Sequence, residues 1–274
     1  MLAFASGLAW SYWPTLCELA RRWSDEPQYS HGFLVPAISA AMLWIRRREL
    51  AAGAARPTWW GVPVLIAGVL LRCAGAYFYV DWLDAVSLLP CLVAFALLAG
   101  GTSALRWSWQ AIAFLMFMIP LPHAIETAVI HPMQGAATAV STYLLQLIGL
   151  PALADGNVIH LSETDLGVVE ACGGLRMLFC LLAVAAAAAI VWDAPAWQKA
   201  LLMLSAAPVA LASNVTRITL TGVFEESFGG RAVAIAFHHW GGWLMMPLAL
   251  GLLWLQLRLA SRLVRQPACL HTTK

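Results

Sequence analysis

Three kinds of side chain in this sequence can act together on a carbonyl. Cys172 lies in Glu170-Ala171-Cys172-Gly173-Gly174-Leu175-Arg176, Arg217 lies in Asn214-Val215-Thr216-Arg217-Ile218, and His238 and His239 are adjacent further on. A thiol attacks as thiolate, an imidazole can take its proton, and a guanidinium can stabilise the oxyanion that forms. Gly173 and Gly174 at a helix start would leave backbone N–H groups near the sulfur, lowering its pKa. Together these groups describe acyl transfer. Each also has a plainer reading: Cys172 as a small apolar filler, Arg217 as a side chain snorkelling to headgroups, the histidines as interfacial anchors. Arg217 is the most informative, because an arginine one turn after Asn214 in an otherwise apolar run is costly in lipid and points to an interior site.

The elements that must hold these groups follow from composition. The 274 residues are 61% hydrophobic and 11% charged, with a mean hydropathy of +0.76. A soluble domain carries roughly 25% charged residues, so this is an integral membrane protein with no room for a separate soluble domain. The net charge of +2 and the lack of a basic cluster interleaved with aromatics set nucleic acid aside. The six cysteines contain no C-x-x-C pair, so neither a disulfide framework, a metal site nor a cofactor is expected. The first segment lacks a basic start and a small-residue cleavage site, and is expected to be a retained helix.

Apolar runs predict eight spans, near 2–20, 29–45, 59–80, 85–100, 107–121, 173–192, 199–218 and 239–257, forming one all-α polytopic domain over 1–274. The second is short, with Pro36 placed where a first helical turn tolerates it. With both termini in the cytoplasm, ten of the sixteen basic residues fall inside: Arg46, Arg47, Arg48, Arg56, Arg106, Lys199, Arg258, Arg262, Arg265 and Lys274. The long insert at about 122–172 then faces outward. Its first part, Pro122 to Gly149, has helical spacing, and Asp155-Gly156-Asn157 within alternating apolar residues predicts a small hairpin leading into Cys172. This topology puts Cys172, Arg217 and His238 near one outer depth.

The motifs closely resemble those of the exosortases, multi-pass bacterial membrane proteins, over Trp23 to about Met246. Tyr29-Ser30-His31-Gly32-Phe33-Leu34-Val35-Pro36 with Leu43-Trp44 and Arg46-Arg47-Arg48 is similar to the family's opening signature, and Met118-Ile119-Pro120-Leu121-Pro122 to its mid-chain marker. The runs around Cys172 and Arg217 resemble the nucleophile and arginine motifs, and His238, four residues before Gly242-Trp243, fits the histidine motif. Gly173 stands where the family often has Ser, and His239 where an acid is common. The resemblance implies a cysteine transpeptidase of the bacterial inner membrane, with its site on the extracytoplasmic side. Its partners would be secreted proteins ending in a PEP-CTERM-type signal: a Pro-Glu-Pro motif, a hydrophobic helix and a basic tail. Cys172 would form a thioester, His238 would move protons, Arg217 would stabilise the tetrahedral intermediate, and an acceptor nucleophile would release the product. His239, Asn214, His31 and Glu170 are supporting candidates.

Three other classes fit less well. A transporter or channel would account for Arg72 and Arg217 but calls for inverted repeats and a polar pathway. A thiol-redox or haem protein would need C-x-x-C or histidines able to face one haem, and an intramembrane metalloprotease would need H-E-x-x-H.

Overall fold

The computed structural model describes residues 2–52, 56–162, 164–168, 174–228, 245, 247–256 and 258. Helices dominate, as expected of an all-α membrane protein, and contacts group the chain into two compact units, Met1–His131 and Pro132–Lys274. Among the described residues, three helical segments are long and apolar enough to cross a bilayer: Gly61–Phe78, Asp81–Met118 and Ala196–Ser227.

The first unit holds α1 (Leu2–Asp25), a 3-10 segment (Pro27–Phe33), α2 (Leu34–Ile45), α3 (Arg47–Ala52), α4 (Gly61–Phe78) and α5 (Asp81–Phe114). The 18 residues of α4 rise about 27 Å, close to the thickness of a hydrocarbon core. Exposed aromatic rings flank both ends, Trp59 and Trp60 at one and Tyr77 and Tyr79 at the other. That is the arrangement expected of amphipathic rings at two membrane interfaces. Along α4, Gly61, Gly68 and Gly75 recur every seventh residue. A Cβ on Gly68 would come within 2.7 Å of Cys91 Sγ, and one on Gly75 within 2.8 Å of the Asp84 nitrogen. Their absent side chains let α4 and α5 approach closely, which is how helices associate where lipid removes the hydrophobic driving force.

Arg72 of α4 is held by these neighbours. Its guanidinium pairs with Asp84 at 3.2 Å, donates to the Ser11 hydroxyl at 2.6 Å and lies 4.1 Å from the Tyr12 ring centre. Thr15 donates to the other Asp84 oxygen at 2.5 Å. The network ties α1, α4 and α5 together, and it supplies partners for a charge that would otherwise be costly in lipid.

The expected spans at 85–100 and 107–121 are joined in α5, which breaks at Gly101 (φ 70°, ψ −151°). The bend is confined to one residue where the sequence suggested a loop of several. Gly101 permits it twice over: its φ is left-handed, and the Arg56 carbonyl oxygen occupies the space a Cβ would need. The run expected at 29–45 forms the 3-10 segment and α2, whose 12 residues rise about 18 Å, with Pro36 in its first turn.

In the second unit, α6 (His123–Leu147) crosses from the first at Pro132 and matches the helix expected in the insert. A three-stranded antiparallel sheet follows: β1 (Leu153–Asp155), β2 (Val158–His160) and β3 (Asp165–Gly167). The expected hairpin is therefore present and gains a third strand. Gly156, at φ 57°, makes its turn. Helices α7 (Leu175–Val191) and α8 (Ala196–Phe228) complete the unit, with a further apolar helical stretch at Pro247–Gln256.

Candidate functional site

Helix α8 carries Asn214 and Arg217 and does not end at 218 as the hydropathy suggested. It runs eleven residues beyond Arg217 to Phe228, about 16 Å further along its axis. Gly222 does not interrupt it, because the Leu145 side chain packs into the space beside that glycine, 3.0 Å from where a Cβ would lie. Arg217 is thus set within the helix and not at its tip, and its depth is no longer fixed by counting from Lys199.

Alanines with no exposed surface, Ala206 and Ala210, open a buried face of α8 that continues through Ser213 and Asn214. Asn214 is 2% exposed. Its Oδ1 accepts from Arg217 Nη2 at 3.0 Å, and the Arg217 carbonyl accepts from Thr221 Oγ1 at 2.8 Å. Because Oδ1 is turned to the arginine, the Nδ2 of the same amide faces the other way. It lies 3.3 Å from where a Cβ on Gly174 would be, and it has no hydrogen-bond partner among the described residues. A buried amide N–H of this kind calls for an acceptor.

Gly174 is the residue that starts α7. It adopts φ 76°, ψ −5°, and its carbonyl accepts the first helical bond, from the Leu178 N–H at 2.9 Å. The expected helix start at the Gly173-Gly174 pair is therefore found one residue on.

The other approach to the nucleophile motif is also fixed. Val168 is 1% exposed and shares a buried apolar cluster with Leu145 of α6, Ile159 of β2, and Val215 and Ile218 of α8. Its N–H donates to the Asn157 carbonyl at 2.7 Å, and the Asn157 side chain donates to Gln134 Oε1 on α6 at 3.0 Å. The sheet is thus clamped between polar and apolar contacts. Residues 169–173 are bracketed by Val168 and Gly174, and both of these lie against the 214–218 turn of α8. Sequence reasoning missed this clamp; the turn residue Asn157 was its one visible sign.

His31 is 8% exposed and belongs to the first unit. Its ring nitrogens lie 3.2 Å from the Gln28 carbonyl oxygen and 3.1 Å from that of Phe117. Trp23 Nε1 donates to the Met118 carbonyl at 2.8 Å, and the Leu121 N–H donates to the Tyr29 hydroxyl at 3.2 Å. The opening motif and the Met118–Pro122 marker are therefore bonded to one another, and His31 acts there as a backbone bridge. Glu170, Cys172, His238 and His239 lie outside the described residues.

The family model for transmembrane exosortases matches residues 23–255. No curated protein and no solved structure matches the chain. A match of that extent, over a polytopic helical chain whose family-like opening and mid-chain motifs bond directly to each other, means that the chain belongs to the transmembrane exosortase family.

Proposed function

We propose that this exosortase is a cysteine transpeptidase that cleaves a PEP-CTERM-type sorting signal from secreted proteins and passes the acyl-enzyme to an acceptor. Cys172 attacks the scissile carbonyl, the thioester forms as the amine leaves, and His238 carries the proton from thiol to amine, with His239 beside it. Arg217 donates to the tetrahedral oxyanion, Asn214 holds Arg217, and Glu170 and His31 have supporting roles. The protein works as one domain of eight spans in the bacterial inner membrane, with both termini in the cytoplasm and the site on the outer side.

The observation that carries this reading is the position of Asn214, which holds Arg217, beside Gly174. Two peptide units separate Gly174 from Cys172, a reach of about 7 Å. A nucleophile on that tether lies within range of a guanidinium one turn from Asn214. The start of α7 at Gly174 supports the same reading, since the unpaired N–H groups of a first helical turn favour a thiolate. Family membership supports the sorting activity, and the satisfied Arg72 network removes one of the two arginines that a transporter would have explained.

The test is processing of a co-expressed protein ending in Pro-Glu-Pro, a hydrophobic helix and a basic tail. Cys172→Ala and Arg217→Ala are each expected to leave the precursor uncleaved while the enzyme stays membrane-inserted at normal abundance. Normal cleavage by Cys172→Ala overturns the proposal.

A further inference from the structure

The first unit encloses a cavity of about 710 Å3 between α2 and the two arms of α5, far from any group used above in sequence. Leu92, Phe95 and Ala99 line it from before the Gly101 bend, Trp107 and Ala111 from after it, and Leu43 from α2. Its walls are apolar even where they carry hydroxyls. Ser39 donates to the Ala111 carbonyl at 2.7 Å and Ser108 to the Ala104 carbonyl at 2.8 Å, so neither is open to a ligand. Ser103 adds a hydroxyl to the lining, and the buried Trp107 indole N–H has no acceptor among the described residues. Buried indoles usually find one.

Size limits the occupant. A spanning helix about 10 Å across and 30 Å long fills roughly 2,400 Å3, more than three times this space, whereas a single hydrocarbon chain fits it. Charge narrows the choice. Arg48, Arg56 and Arg106 have no acidic partner among the described residues, in contrast to Arg46, which is paired with Glu49 at 2.7 Å. All three are near lining residues along the chain: Arg48 is two residues before Leu50, Arg106 precedes Trp107, and the Arg56 backbone N–H bonds the carbonyl of Gly100 at 3.3 Å.

We infer that this cavity binds one acyl chain of an anionic phospholipid, with an ester carbonyl accepting from Trp107 Nε1 and the phosphate held by Arg48, Arg56 and Arg106. Basic residues at a membrane surface each favour an anionic headgroup by about fivefold, which gives the site its charge preference.

The test uses the full chain in phosphatidylcholine vesicles with a minor fraction of phosphatidylglycerol bearing a photoreactive acyl chain, and labelled positions are mapped by mass spectrometry. Label is expected on residues 92–115 and 36–43, at least about fivefold above that from a phosphatidylcholine probe with the same chain. Ala99→Phe, which projects a ring into the cavity, is expected to reduce that label several-fold. Trp107→Phe keeps the volume, loses the N–H and is expected to reduce it several-fold. The triple change Arg48→Gln, Arg56→Gln and Arg106→Gln is expected to bring the two probes level. Equal labelling by both probes in the unaltered protein overturns the inference. So does label confined to lipid-facing positions such as Ile66 and Leu70, or displacement of the lipid label by a sorting-signal helix.

Discussion

Asn214 touches both halves of the candidate site: its carbonyl oxygen holds Arg217 at 3.0 Å, and its amide nitrogen faces Gly174, the residue that caps the start of α7. A side chain in this position orients a guanidinium relative to the start of α7. Asn214→Ala is expected to lower the rate of sorting-signal processing by about 10- to 100-fold, the scale on which a catalytic group displaced by an ångström loses activity. Asn214→Gln, with a longer amide, restores less than half of it. The measurement is the rate of precursor cleavage at matched enzyme abundance, and an Asn214→Ala enzyme of full activity would show that Arg217 needs no such holder.

Gly174 has no room for change. Its φ of 76° costs an L side chain about 1 to 2 kcal/mol, and a Cβ would press on Asn214 at 3.3 Å. Gly174→Ala is therefore expected to lower the thermal midpoint of the detergent-solubilised protein and to reduce processing as well. Gly149→Ala makes a useful control, because its φ of 92° carries a similar strain with nothing within 4 Å of the added methyl. It should share the loss of stability without the loss of processing.

The Arg72–Asp84 pair gives a prediction about assembly. Arg72→Met leaves Asp84 without its cation, and an uncompensated charge within an apolar span is costly. Low membrane abundance is expected for Arg72→Met, with recovery in the double variant Arg72→Met with Asp84→Leu. If the single variant accumulates normally, the network does not hold α1, α4 and α5 together.

Close approach of α4 and α5 sets a further limit. Gly68→Leu would drive a side chain into Cys91 and Pro90, and overpacking of this kind typically costs about 1 to 3 kcal/mol. Reduced thermal stability is expected, with partial rescue by Cys91→Ala, which frees the space nearest the new side chain.

Glu126 supplies a pH dependence outside the spans. Burial holds its carboxyl above the usual range, against the opposing hydrogen bond from Gln28. A carboxyl raised in the folded state favours folding when protonated, so its contribution is present at low pH and is lost as pH rises through the raised value. Unfolding midpoints measured across the acidic range should fall less steeply with rising pH in Glu126→Gln than in the unaltered protein.

Much of this was legible in the sequence, for physical reasons. Hydropathy located α1, α4 and α7 because lipid-facing helices are apolar along a length the bilayer dictates, and Gly156-Asn157 announced the hairpin because few residues accept that turn. Two boundaries were not legible. The end of α8 was placed at 218 because Glu225 and Glu226 lower the local hydropathy, whereas Leu145 packing at Gly222 carries the helix on to Phe228. The bend in α5 depends on the Arg56 carbonyl, more than forty residues away in sequence. Within the site, one helical turn was enough to link Asn214 and Arg217. The link to Gly174 is tertiary, and no local pattern encodes it.

The aromatic rings at the two ends of α4 have a consequence for where the protein can work. They mark a band of about 27 Å, and a thicker hydrocarbon layer would force this helix to draw the lipids inward or pull its rings below the headgroups. Through the close contacts at Gly61, Gly68 and Gly75 any such adjustment passes to α5. Bilayer thickness is therefore a mechanical input to this unit, and membranes of graded acyl length should alter its stability even at constant headgroup composition.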